Sequence, residues 1–260
     1  MPTLRVNGID LNYEIHGQGR PLLLIHGLGS SCRDWEKQLT VFSRYYQVIT
    51  FDLRGHGQTE KPPGPYSMSL FAKDAAELVK ALGISPAHVI GISLGGMITF
   101  QLALDHPELV MSVVIVNAGT EVVARTLKDH WQVFFRFAIV YLLGMRKMGE
   151  VLSKRLFPLD EQAGLREIFV KRWGENDTRA YLETLRAIVG WSVTEHVHTI
   201  NVPTLVVTAD HDYTPVSEKE LFVAKMPLAE LAVVQNSRHA TPVDSPEEFN
   251  QIVLEFLSRQ

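Results

Sequence analysis

Ala87-His88-Val89-Ile90-Gly91-Ile92-Ser93-Leu94-Gly95-Gly96-Met97 is the stretch on which the reading of this 260-residue chain turns. Val89 and Ile90 read as a short buried strand, and Ile98, Leu102 and Ala103 recur at helical spacing beyond the glycines. A strand that becomes a helix within so few residues bends sharply, and its apex is crowded. Glycines two positions before and two after Ser93 remove the side chains that would collide there. Such a bend lifts the Ser93 hydroxyl off the sheet, above the N-terminus of the next helix. The unpaired N–H groups and partial positive charge of that terminus suit a developing oxyanion. Taken alone, the spacing fits a serine that merely caps a helix equally well. Partners elsewhere in the chain must decide.

The surrounding pattern is strand and helix in alternation. Leu4–Val6 and Leu11–His16 alternate in polarity and flank Asn7-Gly8, a hairpin signal. Gly17-Gln18-Gly19 lies between strands with no helix after it, which makes it a turn and not a dinucleotide loop. Pro21–Ile25 is a continuous apolar run, as in parallel strands covered on both faces, and leads into His26-Gly27-Leu28-Gly29-Ser30-Ser31. Main-chain N–H groups of that glycine-rich loop can approach a ligand closely. A helix around Trp35–Phe42, the strand Gln47–Phe51, a loop punctuated by Pro62-Pro63-Gly64-Pro65 and a helix Ser69–Leu82 precede the central stretch. The strand Val110–Val116 follows it.

After Asn117 the alternation stops. Helical segments are expected at Trp131–Met148, Glu150–Phe157, Glu161–Trp173 and Thr178–Val189, with no convincing strand until Val202–Thr208. A helix near Ser217–Lys225, the strand Ala229–Val234 and a helix Pro246–Leu257 complete the chain. The expected organisation is an α/β core, residues 1–119 and 200–260, interrupted by a helical cap, residues 120–199. The apolar segment Val133–Met145 is too short to span a bilayer, so a helix buried between cap and core is expected, with a membrane-surface helix as the alternative.

Composition narrows the function classes. A hydrophobic fraction of 46% with 21% charged residues places the chain among ordinary globular domains, and its length suits one large domain with an insertion. The net charge of −4 and the lack of a basic cluster argue against nucleic acid as a partner. The first fifteen residues contain no apolar core of a secretory signal, and Cys32, the single cysteine, cannot pair within the chain, so a cytoplasmic location is expected. No run is long enough for a membrane span, and the oligomeric state stays open, a homodimer included.

A serine becomes a useful nucleophile when a base takes its proton and an acid orients that base. Behind a Gly-x-Ser-x-Gly bend the acid and then the histidine are expected further along the chain. Ala209-Asp210-His211-Asp212-Tyr213-Thr214-Pro215 leaves one strand, and Gln235-Asn236-Ser237-Arg238-His239 leaves the next. Ligand chemistry in open α/β sheets gathers at strand C-termini, which would bring Ser93, one of these acids and His239 to one edge. Elsewhere, Asp52, Arg54, His56 and His26 read as loop ties, Cys32 and Trp35 as packing, and His196-Val197-His198 lacks a third metal ligand at suitable spacing.

The ordered set of His26-Gly27-Leu28-Gly29-Ser30, Asp52-Leu53-Arg54-Gly55-His56-Gly57, Gly91-Ile92-Ser93-Leu94-Gly95-Gly96, Pro203-Thr204-Leu205 leading to Asp212, and His239 ahead of Ser245-Pro246-Glu247-Glu248-Phe249 resembles the α/β-hydrolase superfamily over essentially the full chain. Within it, the run from Arg54 through Tyr66 to the bend resembles the 3-oxoadipate enol-lactonase and carboxylesterase branch. The resemblance implies a mostly parallel eight-stranded sheet flanked by helices, with a helical cap. It implies Ser93 as nucleophile, His239 as base, Asp212 as the orienting acid, and the Leu28 and Leu94 backbone N–H groups as oxyanion donors. The family's spacing from acid to proline is one residue longer than Asp212 to Pro215. Asp212 is favoured by its distance from the strand, and Asp210 is the alternative.

Relatives that open epoxides or remove halides carry Asp at the bend, whereas this chain carries Ser93. The His-Gly-Gly-Gly loop of hormone-sensitive-lipase relatives is also absent, because Leu28 follows His26-Gly27. The expected activity is cofactor-free hydrolysis of a small-molecule carboxylic ester or lactone. C–C hydrolysis of aromatic ring-cleavage products and slow-turnover ligand binding are the alternatives. Cap aromatics, foremost Trp131, Phe135 and Tyr141, are expected to line the substrate pocket.

Overall fold

The computed structural model describes residues 2–260. Two strands, β1 (Thr3–Val6) and β2 (Ile9–His16), pair antiparallel with Val6 opposite Ile9. The turn between them needs two residues at positive φ, and Asn7 (43°) and Gly8 (79°) supply them. Behind them run β3 (Arg20–Ile25), β4 (Tyr46–Phe51), β5 (Ala87–Ile92), β6 (Val110–Val116), β7 (Thr204–Ala209) and β8 (Ala229–Val234). Together they form one eight-stranded sheet in the order β1-β2-β4-β3-β5-β6-β7-β8, parallel from β4 onward.

The central strands explain why the sheet is covered twice. Leu23, Ile25, Val89, Val113, Ile115 and Val206 belong to one apolar cluster, while Leu22, Leu24, Ile90, Val114, Val116 and Val207 belong to another. Successive residues of a strand face opposite sides, so alternate positions feed two cores. Helices α2 (Met68–Ala81) and α3 (Leu94–Asp105) cover the first face through Phe71, Ile98 and Phe100. The second face is covered by α1 (Glu36–Phe42) and by α9 (Pro246–Leu257), which supplies Phe249, Val253 and Phe256.

Between β6 and β7 lie α4 (Leu127–Leu156), α5 (Ala163–Gly174) and α6 (Thr178–Ile188). Hydrogen bonds from Val122 N–H to Trp191 O (2.8 Å) and from Gly190 N–H to Val122 O (2.8 Å) close the neck of this insertion. Its segments pack on one another around Val140, Met145, Met148, Trp173, Tyr181 and Leu185. Two short elements complete the core, α7 (Val216–Val223) and α8 (Thr241–Asp244), the second of which the sequence pattern does not announce.

Three expectations for the insertion need correction. The long helix starts at Leu127, earlier than expected, because Thr126 and Asp129 form a reciprocal cap (Asp129 N–H to Thr126 Oγ1 3.2 Å; Thr126 N–H to Asp129 Oδ2 2.9 Å). Its break falls at Gly144, which adopts φ 78° and where a Cβ would meet nothing within 4 Å, and not at Gly149. Gly149 stays helical because a Cβ there would meet Trp173 Cβ at 3.0 Å, so its smallness serves the α4–α5 contact. The segment Val133–Met145 is also not buried between cap and core. Val140 and Met145 are buried, but Phe134, Phe135, Tyr141 and Leu142 are more than half exposed.

Candidate active site

Ser93 sits at the β5–α3 junction with φ 54° and ψ −114°, a conformation that non-glycine residues rarely hold. The bend survives because its neighbours leave room. A Cβ at Gly91 would lie 2.1 Å from Gly95 O, and one at Gly95 2.1 Å from Ile25 O. A Cβ at Gly96 would meet Ala118 Cβ at 2.6 Å. The glycines flanking Ser93 are therefore required by main-chain contacts on both sides of the turn.

At this edge of the sheet, Ser93 Oγ lies 2.8 Å from His239 Nε2, and His239 Nδ1 lies 2.5 Å from Asp212 Oδ1. A carboxylate only accepts, so Nδ1 carries the hydrogen and Nε2 is left to accept the Ser93 hydroxyl. Asp212 follows β7 and His239 follows β8, so adjacent parallel strands deliver both groups. Asn117, at φ 46° beyond β6, fixes their spacing. Its Nδ2 donates to His239 O (3.0 Å) and Thr241 Oγ1 (2.7 Å), and its Oδ1 accepts from Ala209 N–H (2.9 Å).

Asp210, the alternative acid, is engaged elsewhere: its carboxylate accepts from Asn236 N–H (3.0 Å) and Ser237 N–H (3.1 Å). It thus anchors the histidine loop from beneath. Asp210→Asn should cost about 1–3 kcal/mol of stability through those weakened bonds. Turnover by the folded variant should stay close to the parent's; chemical denaturation and steady-state rates on one preparation check both.

The far side of Asp212 holds a group that sequence reading missed. Lys219, on α7, places Nζ 2.9 Å from Asp212 Oδ2, with both side chains 1% exposed. Nζ also donates to Thr214 O (3.2 Å) and to Thr214 Oγ1. Burial pushes the Asp212 carboxyl up, but the His239 contact and the Lys219 ammonium outweigh it and hold it down at about 2. The carboxylate therefore stays charged across the working range. A lysine seven positions past an aspartate, between Glu218 and Glu220 on a short helix, carries no signal of its own.

Tyr213 was likewise unmarked. Its ring stacks on the His239 imidazole (centroids 4.0 Å apart, 19° between planes), and the Arg155 guanidinium covers its other face at 4.1 Å. Burial pushes the Tyr213 hydroxyl up to about 12, so it remains neutral. Arg155 belongs to α4, so this stack ties the insertion to the histidine loop.

The glycine-rich loop after β3 completes the site. His26 is fully buried; Leu53 N–H donates to its Nε2 (3.0 Å), and Nδ1 donates to Gly27 O (2.8 Å). It holds the loop in place and does not face the site. A Cβ on Gly27 would come within 3.7 Å of Ser93 Cβ, so the loop backbone lies against the serine. Among the described residues, no hydrogen bond within the chain takes up the N–H of Leu28 or Leu94. Asp52, Arg54 and His56 are loop ties: Asp52 accepts from Cys32 N–H (2.8 Å) and Gln58 N–H (2.8 Å), and Arg54 grips buried Asp74 through two bonds of 2.8 and 2.7 Å. Burial holds His56 down at about 3, so it stays neutral, with its ring against Arg54 O (3.0 Å). Trp35 and Cys32 are buried in the packing, while His196 and His198 are exposed.

A cavity of about 960 Å³ opens above Ser93 and His239. From the sheet domain it is lined by Leu28, Leu94 and Met97, and from the insertion by Phe135, Ile139 and Leu152. Of the three cap aromatics expected there, Phe135 is in the lining, whereas Trp131 (56% exposed) and Tyr141 (78%) lie outside it. Tyr141 differs from Phe135 in helical phase, whereas Trp131 stands one turn before Phe135 on the same side and packs against its ring.

Comparison with known proteins places the chain among relatives. The profile of the alpha/beta hydrolase fold family matches residues 20–246. The chain is 31% identical to a putative carbamate hydrolase RutD of Azorhizobium caulinodans, over 98% of either chain. It is 27% identical to 3-oxoadipate enol-lactonase 2 of Acinetobacter baylyi, over 99% of this chain and 96% of that one. Its fold is similar to the crystal structure of the enol-lactonase from Burkholderia xenovorans, with a TM-score of 0.91, 24% identity, and coverage of 99% of this chain and 100% of that one.

Proposed function

The chain belongs to the α/β-hydrolase fold family, and we propose that it is a serine hydrolase that cleaves carboxylic esters, lactones included, through an acyl-Ser93 intermediate. The observation that carries this reading is the unbroken hydrogen-bonded series Ser93–His239–Asp212 in the lining of a largely apolar cavity. Ser93 Oγ attacks the ester carbonyl carbon while its proton passes to His239 Nε2. The carbonyl oxygen takes the negative charge, and the N–H groups of Leu28 and Leu94 receive it. Collapse of this intermediate breaks the bond to the alkoxy oxygen, which leaves with the proton from His239. Water then repeats the sequence on the acyl-serine, losing its proton to His239, and the acid departs as Ser93 regains a proton. Asp212 stays ionised throughout and supports the imidazolium.

The likeness to a putative carbamate hydrolase supports a second reading, in which nitrogen flanks the attacked carbonyl. Nitrogen donation lowers the electrophilicity of that carbon, but the same residues would serve. A panel of linear p-nitrophenyl esters, an enol-lactone and an N-substituted carbamate separates these outcomes. Highest kcat/KM on an ester or lactone is expected. Turnover confined to the carbamate would transfer the assignment to that class, and turnover of none of them would refute the hydrolase reading.

We assign the cap, residues 120–199, to substrate selection. Phe135→Ala and Ile139→Ala should alter the ratio of kcat/KM between long and short acyl esters by about ten-fold at one position or both. Trp131→Ala and Tyr141→Ala should leave that ratio unchanged, because neither residue lines the cavity.

A further inference from the structure

The outer face of α4 shows an apolar surface that the catalytic reading does not use. Leu127, Trp131, Phe134, Phe135, Ala138 and Leu142 follow helical spacing along one side, with Tyr141 beside them. Leu127 is 80% exposed and Leu142 73%, and among the described residues seven of the fifteen exposed large apolar side chains fall between positions 127 and 143. Trp131, Phe134 and Phe135 pack against one another, edge-to-face or tilted, at centroid distances of 5.5, 5.6 and 5.9 Å, so the surface is continuous. At 1.5 Å per residue the stripe runs for about 22 Å. Scattered surface apolar residues need no explanation, but an ordered stripe of this length marks a contact surface.

Charge chooses the occupant. The chain as a whole carries −4, yet on α4 Lys128, Arg146, Lys147 and Lys154 are exposed against only Asp129 and Glu150, while Arg136 and Arg155 are engaged with Tyr181 and Tyr213. A second copy related by a two-fold axis would set this cationic helix against its own image, like charge on like charge. An anionic bilayer presents the opposite sign, and tryptophan and tyrosine with flanking lysines suit its interfacial zone. We propose that the exposed face of α4 lies on an anionic lipid surface, with Trp131, Phe134 and Leu142 immersed at the headgroup boundary. Among the described residues no helix is long and apolar enough to cross a membrane, so the contact is peripheral. Phe135 belongs both to this stripe and to the cavity lining, so docking would set the cavity wall beside the acyl region.

The test uses the full chain and sedimented vesicles, of pure phosphatidylcholine or with about 30% phosphatidylglycerol. Binding to the anionic vesicles should exceed that to zwitterionic ones at least ten-fold and weaken as salt is added. Phe134→Glu/Leu142→Glu should lose at least ten-fold in vesicle affinity while its turnover of soluble p-nitrophenyl acetate matches the parent's. Lys128→Glu/Arg146→Glu, which keeps the apolar stripe, should lose only the preference for anionic lipid. Absent vesicle binding, or binding indifferent to Phe134→Glu/Leu142→Glu, would overturn the proposal. A lipid-free parent that is dimeric, and made monomeric by that variant, would instead assign the stripe to self-association and overturn it equally. Turnover of the soluble ester is read separately, so neither result bears on the Ser93 assignment.

Discussion

Ser93→Ala should leave the fold in place and lower ester turnover by about a thousand-fold or more. The size of the effect follows from the hydrogen-bonded series. With Oγ removed, His239 Nε2 faces no hydroxyl, and Asp212 orients an imidazole that has nothing to activate. Residues acting as a unit fail together, so adding His239→Ala to Ser93→Ala should cost little more. The fold should hold because Ser93 makes no side-chain cap to α3, and alanine carries the same Cβ at φ 54°. Circular dichroism and a purified preparation free of host esterases separate lost chemistry from lost structure.

Asp212→Asn should be the next most damaging change, and it should act in two ways. The amide no longer enforces the histidine tautomer, so turnover falls by about a thousand-fold or more. It also leaves the Lys219 ammonium buried opposite a neutral group, at a stability cost of about 3–5 kcal/mol. Asp212→Asn/Lys219→Met should therefore recover much of the stability and none of the activity. Lys219→Met alone should fold and retain measurable turnover, because His239 Nδ1 still holds Asp212 Oδ1.

The same geometry sets a stability profile. The folded Asp212 carboxyl is held down at about 2, below an unfolded value of ~3.9. Its stabilisation is thus present above about pH 4 and is lost as pH falls through about 2. Asp212→Asn/Lys219→Met should lack that acid-sensitive component in denaturation curves recorded across this window.

Much of this was readable in advance, for identifiable reasons. Asn7-Gly8 and the bend around Ser93 are legible because each demands a backbone that few residues tolerate. The parallel strands announce themselves because burial on both faces excludes polar residues from Leu22–Ile25 and Val113–Val116. Distance from the strand favours Asp212 but leaves Asp210 open, since both leave β7 for the same loop and differ in what they meet there, backbone N–H groups of Asn236 and Ser237 or the His239 ring. Gly144 and Gly149 are indistinguishable in sequence, and only the approach of Trp173 shows which one must stay helical. Lys219 and Tyr213 stayed hidden because their importance lies in contacts across elements. The outward face of α4 misled for a related reason: with Val140 buried on one side and Trp131 exposed on the other, apolarity alone cannot say which side turns inward.

The most direct test of the central assignment is the mass of the enzyme trapped during turnover. Rapid acid quenching within the burst of p-nitrophenyl butyrate hydrolysis, followed by proteolysis and mass spectrometry, should find one butyryl group per chain, on the peptide that contains Ser93. The same experiment on Ser93→Ala should find none. A burst whose acyl group maps to any other residue, or steady ester turnover undiminished in Ser93→Ala, would contradict the account.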